Sequence, residues 1–275
     1  MSPESTRNRD YSLTWFVHFR KAGGTSLAQL AEINGERLPA HHRGANPVDT
    51  DGRFERVWEL SPEGLSALVD TYEASGVTFV ATEWGMPALD TLIADPRVRL
   101  VTLIRDPIAR MTSNYTYDHF LGDTRARSIR GYCADRSHGH TQHNYYSRML
   151  LRERWATDVA PAESARQALA VLDGFDVVQV LEAPNAMGAV ADALGWASGD
   201  LHANSAAHQR STVARRAFTQ LRRKRPELLL RALAPVGVAD ADRAWLVDRN
   251  QADVQVYGSL LSSSEARVES EASRL

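Results

Sequence analysis

Cysteine is almost missing from this chain: Cys133 is the only one in 275 residues. No intramolecular disulfide can form, which excludes a small cross-linked secreted fold. Also lacking is any apolar run of about 18 residues, the minimum for a membrane-spanning helix. The first ten residues are polar and charged and carry no apolar core of the signal-peptide kind. The expectation is a cytoplasmic protein with no membrane span. There is little excess charge of either sign: 32 Lys and Arg against 34 Asp and Glu leave a formal net charge of −2. Bulk attraction to nucleic acid is therefore not expected. A Walker A string, G-x-x-x-x-G-K-[ST], occurs nowhere, which argues against an ordinary ATPase. His138, His140 and His143 have neither cysteine partners nor an H-E-x-x-H helix, so a solvated loop is expected there and no metal.

The apolar content, 43%, is enough for one sizeable core. Strand-like and helix-like stretches alternate. Strands are predicted over 14–19, 77–82, 98–104 and 176–181, and helices after Gly24 and over 62–72, 86–94, 107–120, 162–172 and 184–194. Ser61-Pro62 and Asp106-Pro107 are the clearest helix starts, a capping side chain followed by a proline whose missing N–H is not needed in the first turn. This alternation predicts an α/β fold with a central, mostly parallel sheet flanked by helices. A flexible N-terminus is expected over 1–10, a single domain over 11–261 and a polar tail over 262–275. Residues 122–142, rich in Arg, Gly, Ser and His, read as a long loop.

Two segments carry chemistry. In Phe16-Val17-His18-Phe19-Arg20-Lys21-Ala22-Gly23-Gly24-Thr25-Ser26-Leu27 an apolar strand breaks at a glycine pair and enters a helix. Glycines let the backbone turn tightly around an anion, and the helix start adds unpaired N–H groups and a positive dipole end. In the second, running from Leu100 to Tyr115, a buried strand ends at Arg105 and a helix starts at Asp106-Pro107. Arg105 can offer a planar fork to a phosphate, and Ser113 lies about two turns into the helix. The competing reading pairs Arg105 with a carboxylate and leaves Ser113 on a solvated face.

The order Lys-x-Gly-Gly-Thr-Ser resembles the phosphosulfate loop of sulfotransferases that use 3′-phosphoadenosine-5′-phosphosulfate, particularly the carbohydrate branch that includes heparan-sulfate 2-O-sulfotransferases. Weaker blocks continue the resemblance in the same order: Gln142 to Leu150 as a middle helix, Phe175 to Glu182 and Leu194-Gly195-Trp196 as a late strand and helix, Leu201 to Ser205 as a late loop, and Asp253 to Tyr257 in a closing helix. The resemblance implies a P-loop nucleotide-binding fold. It also implies that Arg20, Lys21, Ala22, Gly23, Gly24, Thr25 and Ser26 hold the donor's 5′ end, while Arg105 and Ser113 hold its 3′-phosphate. The co-substrate would be 3′-phosphoadenosine-5′-phosphosulfate with no metal. The acceptor would be a hydroxyl of a glycan, glycolipid or small molecule.

Lys21 is the expected catalytic cation. Glu83, after the second predicted strand, is the first candidate for general base, although relatives of this branch often have Gly-His where this chain has Thr82-Glu83. Its other reading is a helix cap or an arginine partner. His119, and His41-His42 in an early loop, are secondary base candidates; His18 reads as a core residue on a strand. Arg222 to Arg225 read as a solvated helix face, and Trp155, Trp196 and Trp245 as core. A nucleotide-dependent kinase and a non-catalytic nucleotide-binding protein are the alternatives to a sulfotransferase.

Overall fold

The computed structural model describes residues 11–135, 139–197 and 238–272. His138, the loop expected at 201–205 and the basic run at 222–225 lie outside them. The centre is a four-stranded parallel sheet of β1 (Leu13–Val17), β4 (Phe79–Thr82), β5 (Val98–Ile104) and β6 (Val177–Val180), in the order β4-β1-β5-β6. A short hairpin, β2 (His42–Arg43) and β3 (Asn46–Pro47), turns through Gly44 and Ala45, both at positive φ.

The strands are apolar on both faces, as a sheet covered on both sides demands. Leu13, Trp15 and Val17 of β1 share a core with α2 (Pro62–Ser75), α3 (Leu89–Ala94), α6 (Tyr145–Leu151), α7 (Pro161–Leu172) and α10 (Gln251–Ala272). Phe16, Phe79, Ala81, Val101 and Leu103 face α1 (Gly24–Ile33) and α8 (Ala186–Leu194). A third cluster joins α4 (Pro107–Leu121), α5 (Ile129–Ala134) and α9 (Asp240–Arg249) through Ile108, Met111, Tyr132 and Leu246. Buried strand threonines are satisfied locally: Thr102 donates to the Val17 carbonyl at 2.8 Å, and Trp15 donates to Thr82 Oγ1 at 3.2 Å.

Local chemistry sets the helix ends. Ser61 accepts from Gly64 N at 3.2 Å ahead of Pro62, and Asp106 accepts from Ala109 N at 2.6 Å ahead of Pro107. Gly76 and Gly122 close those two helices in the left-handed conformation. Several boundaries differ from expectation, β4 starting at Phe79 rather than 77, β6 covering Val177–Val180 rather than 176–181 and α2 running to Ser75 rather than 72, and four further differences stand out. β1 stops at Val17 because the chain turns at Phe19, whose carbonyl accepts from Ala22 N at 3.0 Å. α3 starts at Leu89 rather than 86, since Pro87 disfavours a helical Met86. α8 starts at Ala186, after Asn185 in the left-handed region.

The fourth lies at the C-terminal end: residues 262–272, expected as a polar tail, continue α10, with Ser263 and Ser264 returning hydroxyl bonds to the carbonyls of Ser259 and Leu260. The loop expected at 122–142 also contains α5 and a single 3₁₀ turn at Gly139–Thr141. Among the described residues, no helix is long and apolar enough to cross a membrane.

All four strands end on one edge. From β1 the chain moves to β4 on one side, then to β5 and β6 on the other, so strand order reverses beside β1. In open α/β sheets the crevice outside such a reversal, at the carboxyl ends, is where ligands bind. His18, Glu83, Arg105 and Glu182 all fall just beyond strand ends on that edge.

Candidate functional site

The segment from His18 to Ser26 turns from β1 into α1 with two residues in left-handed backbone, Lys21 at φ 65° and Gly23 at φ 81°. Both glycines are required, for different reasons. At Gly23 the positive φ strains any side chain, and a Cβ would lie 3.0 Å from Leu103 Cδ1. At Gly24 a Cβ would lie 2.1 Å from the His18 ring. His18 stacks on Phe16 at 5.1 Å and lies directly against the backbone at the start of α1. Ala22 is fully buried and anchors the turn, while Thr25 is exposed and Ser26 partly so. No side chain caps the start of α1, and Ser26 N donates to the Gly23 carbonyl at 3.0 Å.

The second segment reaches the first. Arg105 Nη1 donates to the Lys21 carbonyl at 3.2 Å, and Arg105 Nε lies 3.6 Å from Glu182 Oε1. Glu182, just beyond β6, also accepts from Asp106 N at 3.2 Å. Burial pushes the Glu182 carboxyl above its ordinary range, opposed by that backbone hydrogen bond and by Arg105. The carboxylate partner foreseen for Arg105 is therefore present, and so is its contact with the glycine loop.

At the third strand end Glu83 is largely buried, its side chain 19% exposed, with carboxylate oxygens 3.8 Å from His18 Nδ1 and 3.7 Å from Arg20 Nη1. Its backbone N–H donates to Asn46 Oδ1 at 2.8 Å, which ties it to the β2/β3 hairpin. It thus has the arginine partner that the alternative reading named. Burial lowers the His18 pKa below its usual value, with Glu83 opposing and Arg20 and Lys21 assisting, which favours the neutral ring.

Arg20 is the hub of a buried polar network. Its Nη2 donates to Asp118 Oδ1 at 2.9 Å, and its guanidinium lies over Trp84 at 5.0 Å and over Tyr117 at 5.6 Å. Asp118 Oδ2 accepts from Tyr132 Oη at 2.6 Å and lies 3.2 Å from His140 Nε2. Burial pushes the Asp118 carboxyl up, but the bonds from His140 and Tyr132 and the Arg20 charge outweigh it and hold the group down at about 2. His140, expected in a solvated loop, is buried because the 3₁₀ turn delivers it to Asp118. His143 packs against Trp245 at 5.2 Å, and the described residues contain no group of three or more His, Cys, Asp or Glu placed to hold a metal.

Helix α4 sorts the remaining candidates by face. Lys21 Nζ lies 4.1 Å from the centre of the Tyr117 ring, and Ser113 occupies the same stripe one turn earlier. Ser113 therefore belongs to the face that meets the glycine loop. His119 is two positions beyond Tyr117, about 200° around the helix at about 100° per residue. It packs edge-on to Tyr115 at 5.8 Å, on the side away from Lys21. His41 and His42 are exposed in the hairpin segment, where His42 Nδ1 accepts from Ala45 N at 3.2 Å. Trp155, Trp196 and Trp245 are only partly buried, and Trp196 donates to Glu36 at 2.8 Å.

The sequence reading missed Asn46, Trp84, Tyr117, Asp118, His140 and Glu182. Two signals were available. Arg110, Asn114 and Asp118 recur every four residues as a polar stripe on an otherwise apolar helix face, and Tyr117 follows Ser113 by one turn. Neither a scan against protein-family models nor a search of curated proteins finds a match for this chain.

Proposed function

We propose that this chain is a P-loop-type sulfotransferase, moving a sulfuryl group from 3′-phosphoadenosine-5′-phosphosulfate to an acceptor hydroxyl. The observation that carries the reading is the 3.2 Å bond from Arg105 to the Lys21 carbonyl, which joins the two anion-type segments across 84 residues at the reversal of strand order. The glycine loop is compatible with it: Gly23 and Gly24 are held bare by internal packing, where a Cβ would press on Leu103 or His18, and the loop leads straight into the start of α1. A helix start with no side-chain cap fits a phosphate group at its first amides.

In this reading the amides of Gly23 to Ser26 hold the donor's 5′-phosphate, and Arg105 with Ser113 holds the 3′-phosphate. When bound, the donor supplies an activated sulfuryl group on a phosphate leaving group. Glu83 takes the acceptor's hydroxyl proton as the acceptor oxygen bonds to sulfur. Lys21 neutralises the phosphate oxygen that keeps the electron pair of the broken S–O bond. Arg20, held between two carboxylates, positions Glu83 and Trp84. Carbohydrate, lipid and small-molecule alcohols are the acceptor classes, and a cytoplasmic setting accompanies the reading.

Calorimetric titration with 3′-phosphoadenosine-5′-phosphate, beside ATP and AMP, tests it. Preferential binding of the bisphosphate that weakens at least tenfold in Arg105→Ala is expected. Binding of ATP alone would overturn the sulfotransferase reading in favour of a kinase.

A further inference from the structure

Beside the Glu83 end of the site lies a groove of about 680 Å³, between the segment 49–60 and α2. That volume is in the usual range of small-molecule sites, about 300–1,000 Å³. Its apolar lining comes from Phe54, Val57, Leu60, Ala67 and Leu68. Charged residues at its edge are largely paired among themselves: Arg53 with Asp51 at 2.9 Å and Arg56 with Glu59 at 2.9 Å. Its lining carries Asp49, Glu55 and Glu59 against Arg53 and Arg56, so the groove presents an apolar floor with a nearly balanced, slightly acidic rim, which matches no polyanion.

A second, narrow cleft of about 10 Å³ shares Phe54, Glu55 and Val57 with the groove and ends at Glu83 and Trp84. It has room for one hydroxyl-sized group. The Phe54 and Trp84 rings pack against each other with centroids 5.3 Å apart; both line the cleft, and Phe54 lines the groove as well. Five large apolar side chains are exposed among the described residues, and two of them, Leu60 (38%) and Trp84 (39%), lie along this track. Exposed apolar side chains gathered along one path to a carboxylate are a recognition surface, in contrast to single ones scattered over a fold.

We infer that this groove binds an uncharged alcohol with an apolar body, the body lying on Phe54, Leu60 and Leu68 and the hydroxyl entering the cleft toward Glu83. The inference deepens the proposed transfer and rests on it for the role of Glu83. It narrows the acceptor to a lipid-like or aryl alcohol, since a bare glycan would leave the apolar floor unmatched. A carboxylate in place of the hydroxyl would face Glu83 and Glu55 and bind less well.

The test is calorimetry on the full chain with 1-octanol, with octanoate as its charged counterpart and with 3′-phosphoadenosine-5′-phosphate titrated in parallel. Two variants block the groove from solvent-facing positions, Ala67→Trp by filling it and Leu60→Glu by charging its floor. Expected are binding of 1-octanol by the parent protein, at least threefold weaker binding of octanoate, and at least tenfold loss of 1-octanol affinity in both variants with bisphosphate affinity unchanged. Failure of the parent to bind 1-octanol, equal binding of octanoate, or undiminished 1-octanol binding in the folded variants would each overturn the inference. If 1-octanol binding behaves as expected while the bisphosphate does not bind, the groove stands and the sulfotransferase reading falls.

Discussion

Arg20 and Asp118, 98 residues apart, form a 2.9 Å ion pair with both side chains almost wholly withdrawn from water, 11% and 7% exposed. The pair fastens the loop after β1 to the last turn of α4. It also fixes Trp84 and Tyr117, which lie over the same guanidinium. Removing either partner leaves a buried charge with its compensation gone, which is where large stability effects arise.

Asp118→Ala is expected to cost about 3–5 kcal/mol by urea unfolding, because Arg20, Tyr132 and His140 all lose their shared acceptor. The acid dependence follows from the lowered pKa. Asp118 moves from an ordinary value of 3.8 to about 2 on folding, so its contribution is complete above about 3.8 and disappears as pH falls through about 2. The parent protein should lose stability across that window more steeply than Asp118→Asn. Equal slopes would remove Asp118 from the acid transition.

His18 should titrate below the ordinary histidine value of 6.5 in an NMR titration of its ring, since burial disfavours the imidazolium. The unfolded chain then binds more protons than the folded one in this range, so stability from His18 falls as pH drops through 6.5. Glu83 is the one neighbour that raises this pKa, and Glu83→Gln should lower the midpoint further. A midpoint that rises in that variant would contradict the 3.8 Å pairing.

Gly24→Ala drives a methyl group into the His18 ring and is expected to destabilise by about 1–3 kcal/mol, the usual cost of overpacking. His18→Ala removes the obstacle, so Gly24→Ala added to His18→Ala should cost much less than it does alone. A double-mutant cycle measures this coupling, and additive effects would show that the ring is not what keeps position 24 bare.

Glu182 competes for Arg105 with any anion. Glu182→Gln should therefore strengthen binding of 3′-phosphoadenosine-5′-phosphate. The pair is about one third exposed on each side, so its worth is small, up to about 1 kcal/mol or roughly fivefold in affinity. Calorimetry on the variant would count against a role for Arg105 in anion binding if affinity were unchanged while Arg105→Ala still bound normally.

What the sequence determined by itself was local. Alternating apolar runs and capped helix starts specified the strand at 98–104 and the helices that begin at Pro62 and Pro107, because capping bonds join residues three positions apart and need no distant partner. The glycine pair announced a tight, bare turn for the same reason. Tertiary structure alone decided what those turns meet. Parallel strands bring residues from four separate segments to one edge, and the register that sets Val17 beside both Thr82 and Thr102 places His18 near Glu83. That register depends on how helices pack over both faces, a sum of many contacts between segments that no short window contains. The same cause buried His140 on Asp118, gave Arg105 its partner Glu182, opened the groove beside α2, and continued α10 through a serine-rich stretch that reads as a tail in isolation.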